Sequence, residues 1–253
     1  MARQPKARVD AKGLSGLGLD KLVEILLDEA AANKALKARL ETALAGDAGP
    51  DEVARVIDRR LDAIEKARTS INRARARDFA VELSGLLRTI RSELAGTDAP
   101  AAFERLVRLI ALRWNIEQRL NVDSAKLMNV FGESEVAALE LLPALAEAQQ
   151  VAAVPALEAA RRRDRYGERF EFFASLLSHL SPAATAAWRG VLEQQMKAAD
   201  ASPSVSRLLQ RLFVIQGDLD AYIAIETAKP ENRRDTYQVA LMLHAAGRHE
   251  EAL

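Results

Sequence analysis

Arg113-Trp114 stands a few residues before Arg119, Asn121, Asp123, Ser124 and Lys126, which sets three cations and an aromatic ring beside a polar turn. If a helix starts near Ser124, its first N–H groups lack partners within the helix and point at the same place. That combination can hold an anion or the carboxylate of a peptide. The same residues also suit a plain helix cap, with Asp123 or Ser124 as capping side chain, Trp114 in the core and Arg119 paired to a neighbouring acid. The cap is the expected reading, and the anion site is its functional rival.

A second row of cations, Arg55, Arg59, Lys66, Arg73 and Arg77, recurs at helical spacing and could follow the phosphates of a nucleic acid. Phe79 is the one aromatic close by, so stacking on bases has no support. Asp58, Asp62 and Glu65 lie within helical reach of these cations, which predicts i,i+3 and i,i+4 pairs on a solvated face. A third cluster, Arg161-Arg-Arg-Asp-Arg165 before Tyr166-Gly167, reads as a helix end. Its cations oppose the partial negative charge of the last carbonyls, and Gly167 suits a left-handed cap.

Catalysis finds little to work with. The chain has no cysteine, which removes thiolate nucleophiles, disulfides and sulfur-ligated metals. His179, His244 and His249 lack the paired spacing of a zinc site. Ser175 and Ser178 share a helix with His179, but the rest of that helix reads as core and no oxyanion donors accompany them. No enzyme, cofactor or metal is expected. The 36 basic and 36 acidic residues cancel, so no long-range field steers the molecule toward nucleic acid or an anionic membrane. Met1 to Lys12 is basic but runs into Gly13-Leu-Ser-Gly-Leu-Gly18 and not an apolar core, so it is not read as a signal peptide. No stretch approaches the roughly twenty apolar residues that cross a bilayer. The expected place is the cytoplasm, with no membrane partner.

The elements that must position these residues are helices, because apolar residues recur at three- and four-residue spacing nearly throughout. After a basic tail over residues 1–13, read as disordered, helices are predicted from near Leu19 and over Lys34 to Leu44. From Asp51 the stripe Val53, Ile57, Ile64 and Ile71 shares one face, but beyond Arg77 the apolar direction rotates by about a quarter turn. A break is therefore placed near Thr69-Ser-Ile-Asn72. Asp98 and Pro100 open a helix expected to run to Leu120, and another runs through Val130, with Gly132 and Pro143 as doubtful points. Further helices are expected at about 151–163, 168–180, 183–199, 204–216, 219–228, 232–246 and from 248 onward, with Pro182, Pro203 and Pro230 at helix starts.

Gly217 and Gly247 each follow an apolar helix and precede Asp/Glu/Ala-rich sequence, and Ala240, Leu243, Gly247 and Ala252 have the spacing of a tetratricopeptide-like hairpin. The expected fold is all-α, with antiparallel helix hairpins stacked as an α-solenoid and tetratricopeptide-like toward the C-terminus. Three regions follow: the tail, an N-terminal helical region over 14–146, and C-terminal repeats over 147–253, read as the start of a longer array.

Several segments carry a resemblance: Leu19-Asp-Lys-Leu22 with Leu26-Leu27, the Ile-Asp-Arg-Arg-Leu stretch ending at Leu61, Arg119-Leu-Asn-Val-Asp-Ser124, Arg165-Tyr-Gly-Glu168 and Ala240 to Leu253. Together they resemble an uncharacterised, helix-rich proteobacterial protein family with a tetratricopeptide-like end. The resemblance covers most of the chain after about residue 14 and implies organisation and no activity.

The functional expectation is a non-enzymatic scaffold for an unknown protein or peptide, gripped either at the Arg113 cluster or in a C-terminal groove lined by Arg207, Arg211, Arg234 and Gln238. The alternative is a nucleic-acid-associated protein using the 55–77 row and the basic tail. Self-association through the C-terminal end is a third expectation.

Overall fold

The computed structural model describes residues 9–47, 49–164, 166–197 and 202–252. Among them every regular element is helical, and the sole β feature is an isolated bridge between Ile71 and Leu120. No helix of the described residues is long and apolar enough to cross a membrane.

Helices α1 (Ala11–Ser15), α2 (Leu19–Ala32) and α3 (Lys34–Asp47) open the chain. Asp10 caps α1, so residues 11–13 are helical where a tail was expected, while residues 1–8 fall outside the described part. Helix α4 (Pro50–Lys66) stops at the anticipated break, and α5 (Arg73–Thr89) restarts after Asn72 caps its first turn. A π-helical turn, Ile90–Leu94, ends this arm, with Ala95 N–H bonded to Ile90 C=O across five residues.

The helix expected over 98–120 is two. After α6 (Ala99–Ala111), capped by Asp98, the chain bends at Leu112 into the short α7 (Arg113–Glu117). Nothing in the local residues breaks a helix there. Leu112 and Ile116 are both buried, so tertiary packing overrides propensity. Helix α8 (Ala125–Leu141) passes straight through Gly132 and ends before Pro143. Then come α9 (Glu147–Arg163), α10 (Phe170–Leu177), α11 (Pro182–Met196), α12 (Pro203–Gln216), α13 (Leu219–Ala228) and α14 (Thr236–Ala245). Residues 198 and 199, placed in the α11 helix by the sequence reading, and Arg165 lie outside the described residues, as does Leu253.

Two turns show the same wiring. Gly217 and Gly247 adopt φ of +70° and +76°, a region glycine enters without strain. In each, the N–H one residue on reaches the carbonyl four residues before the glycine: Asp218 to Phe213 and Arg248 to Leu243, both 2.9 Å. After Gly217 a full helix follows. After Gly247 residues 249–252 form turns, so the helix expected from 248 is not formed among the described residues.

Buried residues from Ala45 to Tyr222 make one continuous core. Helix α6 lies at its centre, packed on α4, α8 and α9, and α11 bridges α9 to α12. The seam of α9, α11 and α12 carries a buried polar knot. Glu158 accepts from Arg161 Nε (2.9 Å) and Nη2 (2.7 Å), Arg162 Nε (2.9 Å), Gln195 Nε2 (2.7 Å) and Trp188 Nε1 (3.2 Å). Arg161 also donates to Ser204 Oγ at 2.8 Å and Gln195 Oε1 at 2.7 Å. Burial alone raises a carboxyl's pKa, but these donors outweigh it and hold Glu158 at about 2. A smaller knot, where Glu226 accepts from Gln210, Lys229 and the Asp235 N–H, ties α12, α13 and the start of α14.

Candidate functional site

Arg113 directly follows the bend at Leu112 and lines three neighbouring hollows. Two adjoining hollows, of about 660 and 560 Å³, have Arg113 and Met128 in their common wall and follow α8. The first holds Glu117, Asn121, Asp123 and Ser124; the second holds Arg91, Asn129, Gly132, Glu133, Val136 and Arg169. From Ser124 to Val136 the groove runs about 18 Å at 1.5 Å per residue. That is the length of an extended peptide of about five residues.

At one end of the groove, Ser124 occupies the N-cap of α8 but its side chain makes no capping bond. The amides of Ala125 and Lys126 have no intrahelical acceptor there, which favours an anion. Lys126 itself is exposed and outside the hollow. At mid-groove Arg113 pairs with Glu117 through Nε and approaches Glu168 at 3.6 Å. Trp114 lies half-buried against Tyr166, edge to face at 4.9 Å, and not in the core. Tyr166 is 71% exposed, so this pair forms a rim.

At the far end the turn after α9 places Arg169. Asp164 accepts the Glu168 and Arg169 amides at 3.0 and 2.9 Å and fixes the turn before α10. Burial raises the Asp164 pKa, against the pull of the Glu168 and Gly167 amides and of the Arg113 and Arg161 charges. Arg169 is only 11% exposed and donates one Nη to Glu135, yet its Nε and other Nη are buried with no hydrogen-bond partner among the described residues. A buried guanidinium with unanswered donors costs free energy and is a ready seat for oxygen acceptors. Glu135 shares the stress. Burial lifts its carboxyl to about 7, with Asp164 adding to the rise and Arg113 opposing it. The Arg169 bond also works against that rise. A recess of about 20 Å³ beside Trp114, Asp164 and Arg169 has room for about one water.

The remaining candidates fall apart into separate roles. Arg119 is not paired to an acid: it donates to the carbonyls of Thr69 (3.0 Å) and Ile64 (3.3 Å), closing the end of α4 and the linker after it. Burial and the charge of Arg68 both lower its pKa. Arg55, Arg59 and Lys66 ride on α4 beside Glu52 and Asp62, whereas Arg73 and Arg77 belong to α5 beyond the break. The five therefore do not share one helix face. Of the i,i+3 and i,i+4 pairs expected of Asp58, Asp62 and Glu65, Asp62–Lys66 forms at 3.9 Å, but the closer partners lie on other helices. Asp58 and Asp62 take Arg108 at 2.7 Å each and Asp58 also takes Arg105, while Glu65 takes Arg163 at 2.6 Å. They stitch α4 to α6 and α9.

Arg207, Arg211, Arg234 and Gln238 are all exposed. Arg207 lies over the Phe170 ring at 4.1 Å, facing α10, and Arg234 donates to the Lys229 carbonyl at 2.9 Å. The four do not converge on one row. Arg91, Gly132, Glu135 and Arg169 were the residues missed. Arg91 and Glu135 carry no local signal, and Arg169 was heralded only by the Gly167 turn.

No curated protein and no solved structure is found to be similar to this sequence. One family model does match, over residues 5–205, a span that contains the whole α8 groove and stops as α12 begins. The chain belongs to that family, DUF6880, a family of unknown function.

Proposed function

We propose that this chain is a non-catalytic scaffold that holds an acidic segment of a partner protein in the groove along α8. The observation that carries the reading is the pair of buried, unpartnered donor nitrogens of Arg169, in a groove that Arg91 and Arg113 also line. A carboxylate entering beside them would meet guanidinium forks that favour planar oxyanions. The uncapped start of α8 extends the same preference to the other end. Helices packed on near neighbours in chain order fit a solenoid-like scaffold. The C-terminal hairpins then serve as an extension of the stack and not as the grip.

The phosphate-tracking alternative has less support, since its α4 members already have acids beside them and only Arg73 and Arg77 stand exposed without an ionic partner among the described residues.

The test is a peptide array of acidic, neutral and basic sequences probed with the purified chain. Acidic peptides should bind, more weakly as salt rises. Gly132→Trp should abolish that binding without unfolding the chain, because a Cβ at Gly132 meets no atom within 4 Å and the ring would fill the groove. Binding that survives Gly132→Trp, or an array on which acidic peptides stay blank, overturns the proposal.

A further inference from the structure

We infer that two copies of this chain associate by exchange: the apolar ridge of each copy's α2 seats in the groove that α3, α4 and α5 form on the other. The first observation is a face too wide for its neighbour. At 100° per residue, Leu19, Leu22, Val23, Ile25, Leu26, Leu27 and Ala30 spread over about 200° of α2. Its principal neighbour is α3. One helix covers roughly half such an arc, and of these residues only Ala30 is buried, while Leu19 remains 76% and Leu27 64% exposed.

The second observation is a hollow of matching character on the same molecule. A groove of about 960 Å³ lies between α3, α4 and α5, walled by Leu36, Leu44, Val56, Val81 and Leu86. Gly85 is among its lining residues, and an added Cβ there meets no described atom within 4 Å. The groove is thus open at the point where a ridge would press closest.

Charge selects the occupant. The ridge Leu19, Val23, Leu27 is flanked along one side by Asp20, Glu24 and Asp28, of which Glu24 has Lys21 at 2.7 Å. In the groove the acids are already taken: Glu41 by Lys37, Glu52 by Arg55 and Arg59, and Glu82 by Arg60. Arg88 on the rim is exposed and has no ionic partner among the described residues. An acidic ridge and a groove with cation to spare are complementary, and this chain carries both. A two-fold pairing makes both seats at once, so each copy gives and receives the same surface. Two seated helices of this length bring the contact into the roughly 1,200–2,000 Å² range of stable interfaces. This surface is separate from the α8 groove, and the inference does not rest on the scaffold reading.

Analytical ultracentrifugation of the 253-residue chain over a range of concentrations tests it. A concentration-dependent dimer is expected. Gly85→Trp, which fills the groove, and Leu27→Glu, which spoils the exposed ridge, should each weaken it at least tenfold, with circular dichroism and Tm unchanged. Arg88→Glu should weaken it by about tenfold, and adding Asp20→Lys and Asp28→Lys to that variant should restore most of the loss. Since the chain has no cysteine, a Leu27→Cys, Gly85→Cys double variant should form an intermolecular disulfide under mild oxidation. A chain that sediments as a single copy at every concentration overturns the inference. So does a dimer that Gly85→Trp and Leu27→Glu leave intact.

Discussion

Glu158 and Glu135 are both carboxylates drawn out of water by the helices around them, yet their surroundings answer them in opposite ways. Glu158 is met by donors from four side chains, and its chief partner Arg161 spends its other N–H groups on Ser204 and Gln195. Glu135 takes a hydrogen bond from one guanidinium, two of whose nitrogens find no acceptor. A saturated network holds three helices in register and has nothing left to offer a ligand. A network short of acceptors holds less and can receive more. The contrast separates a part of the molecule whose buried polar groups are answered from a part where some are not.

Removing the hub of the saturated network should cost most. Glu158→Ala strands Arg161 in the core and should lower stability by about 3–5 kcal/mol, read from urea or thermal unfolding. An equal Tm in the variant would mean that the knot is not a hub. Acid should do nearly the same without a mutation. The folded carboxyl sits near 2 against an ordinary 4.5, so its contribution is complete above pH 4.5 and drains away as the pH falls toward 2. The span corresponds to about 3 kcal/mol, which chemical unfolding curves taken stepwise between pH 5 and pH 2 should show and which Glu158→Gln should flatten. The groove should give the smallest effect, with the opposite sign. Glu135 sits near 7, so its ionised form is a burden above that pH which eases as the pH drops from 7 toward 4.5. Glu135→Gln should therefore raise stability by about 1 kcal/mol at pH 8 and by much less at pH 5. A loss at pH 8 would make Glu135 a member of a holding network like that of Glu158.

Local rules carried much of the fold. Asp98, Pro182, Pro203 and Asp218 stand at helix starts because a side-chain acceptor or a fixed φ suits those positions, and the left-handed turn at Gly217 has a chemistry of its own. The break between α4 and α5 was visible as a rotation of the apolar stripe. The bend at Leu112 was not, since Ala111 to Arg113 are good helix formers and only distant packing turns the chain. That is also why the site was half legible. Arg113, Asp123 and Ser124 lie in one stretch and announce themselves, whereas Arg91, Glu135 and Arg169 come from three other elements and meet only through the fold. Arg119 illustrates the converse, a cation whose partners are backbone carbonyls some fifty residues away and leave no trace in side-chain spacing.

Ser204 has one more implication. It takes a hydrogen bond from Arg161 just before the matched family span ends at residue 205, and Val205, Leu208, Leu209, Leu212 and Phe213 are all buried. A recombinant fragment trimmed at that limit would keep Ser204 but leave α10 and α11 with an uncovered apolar flank. The unit that folds autonomously must extend at least through α12, and excision experiments on relatives in the family should carry that helix along.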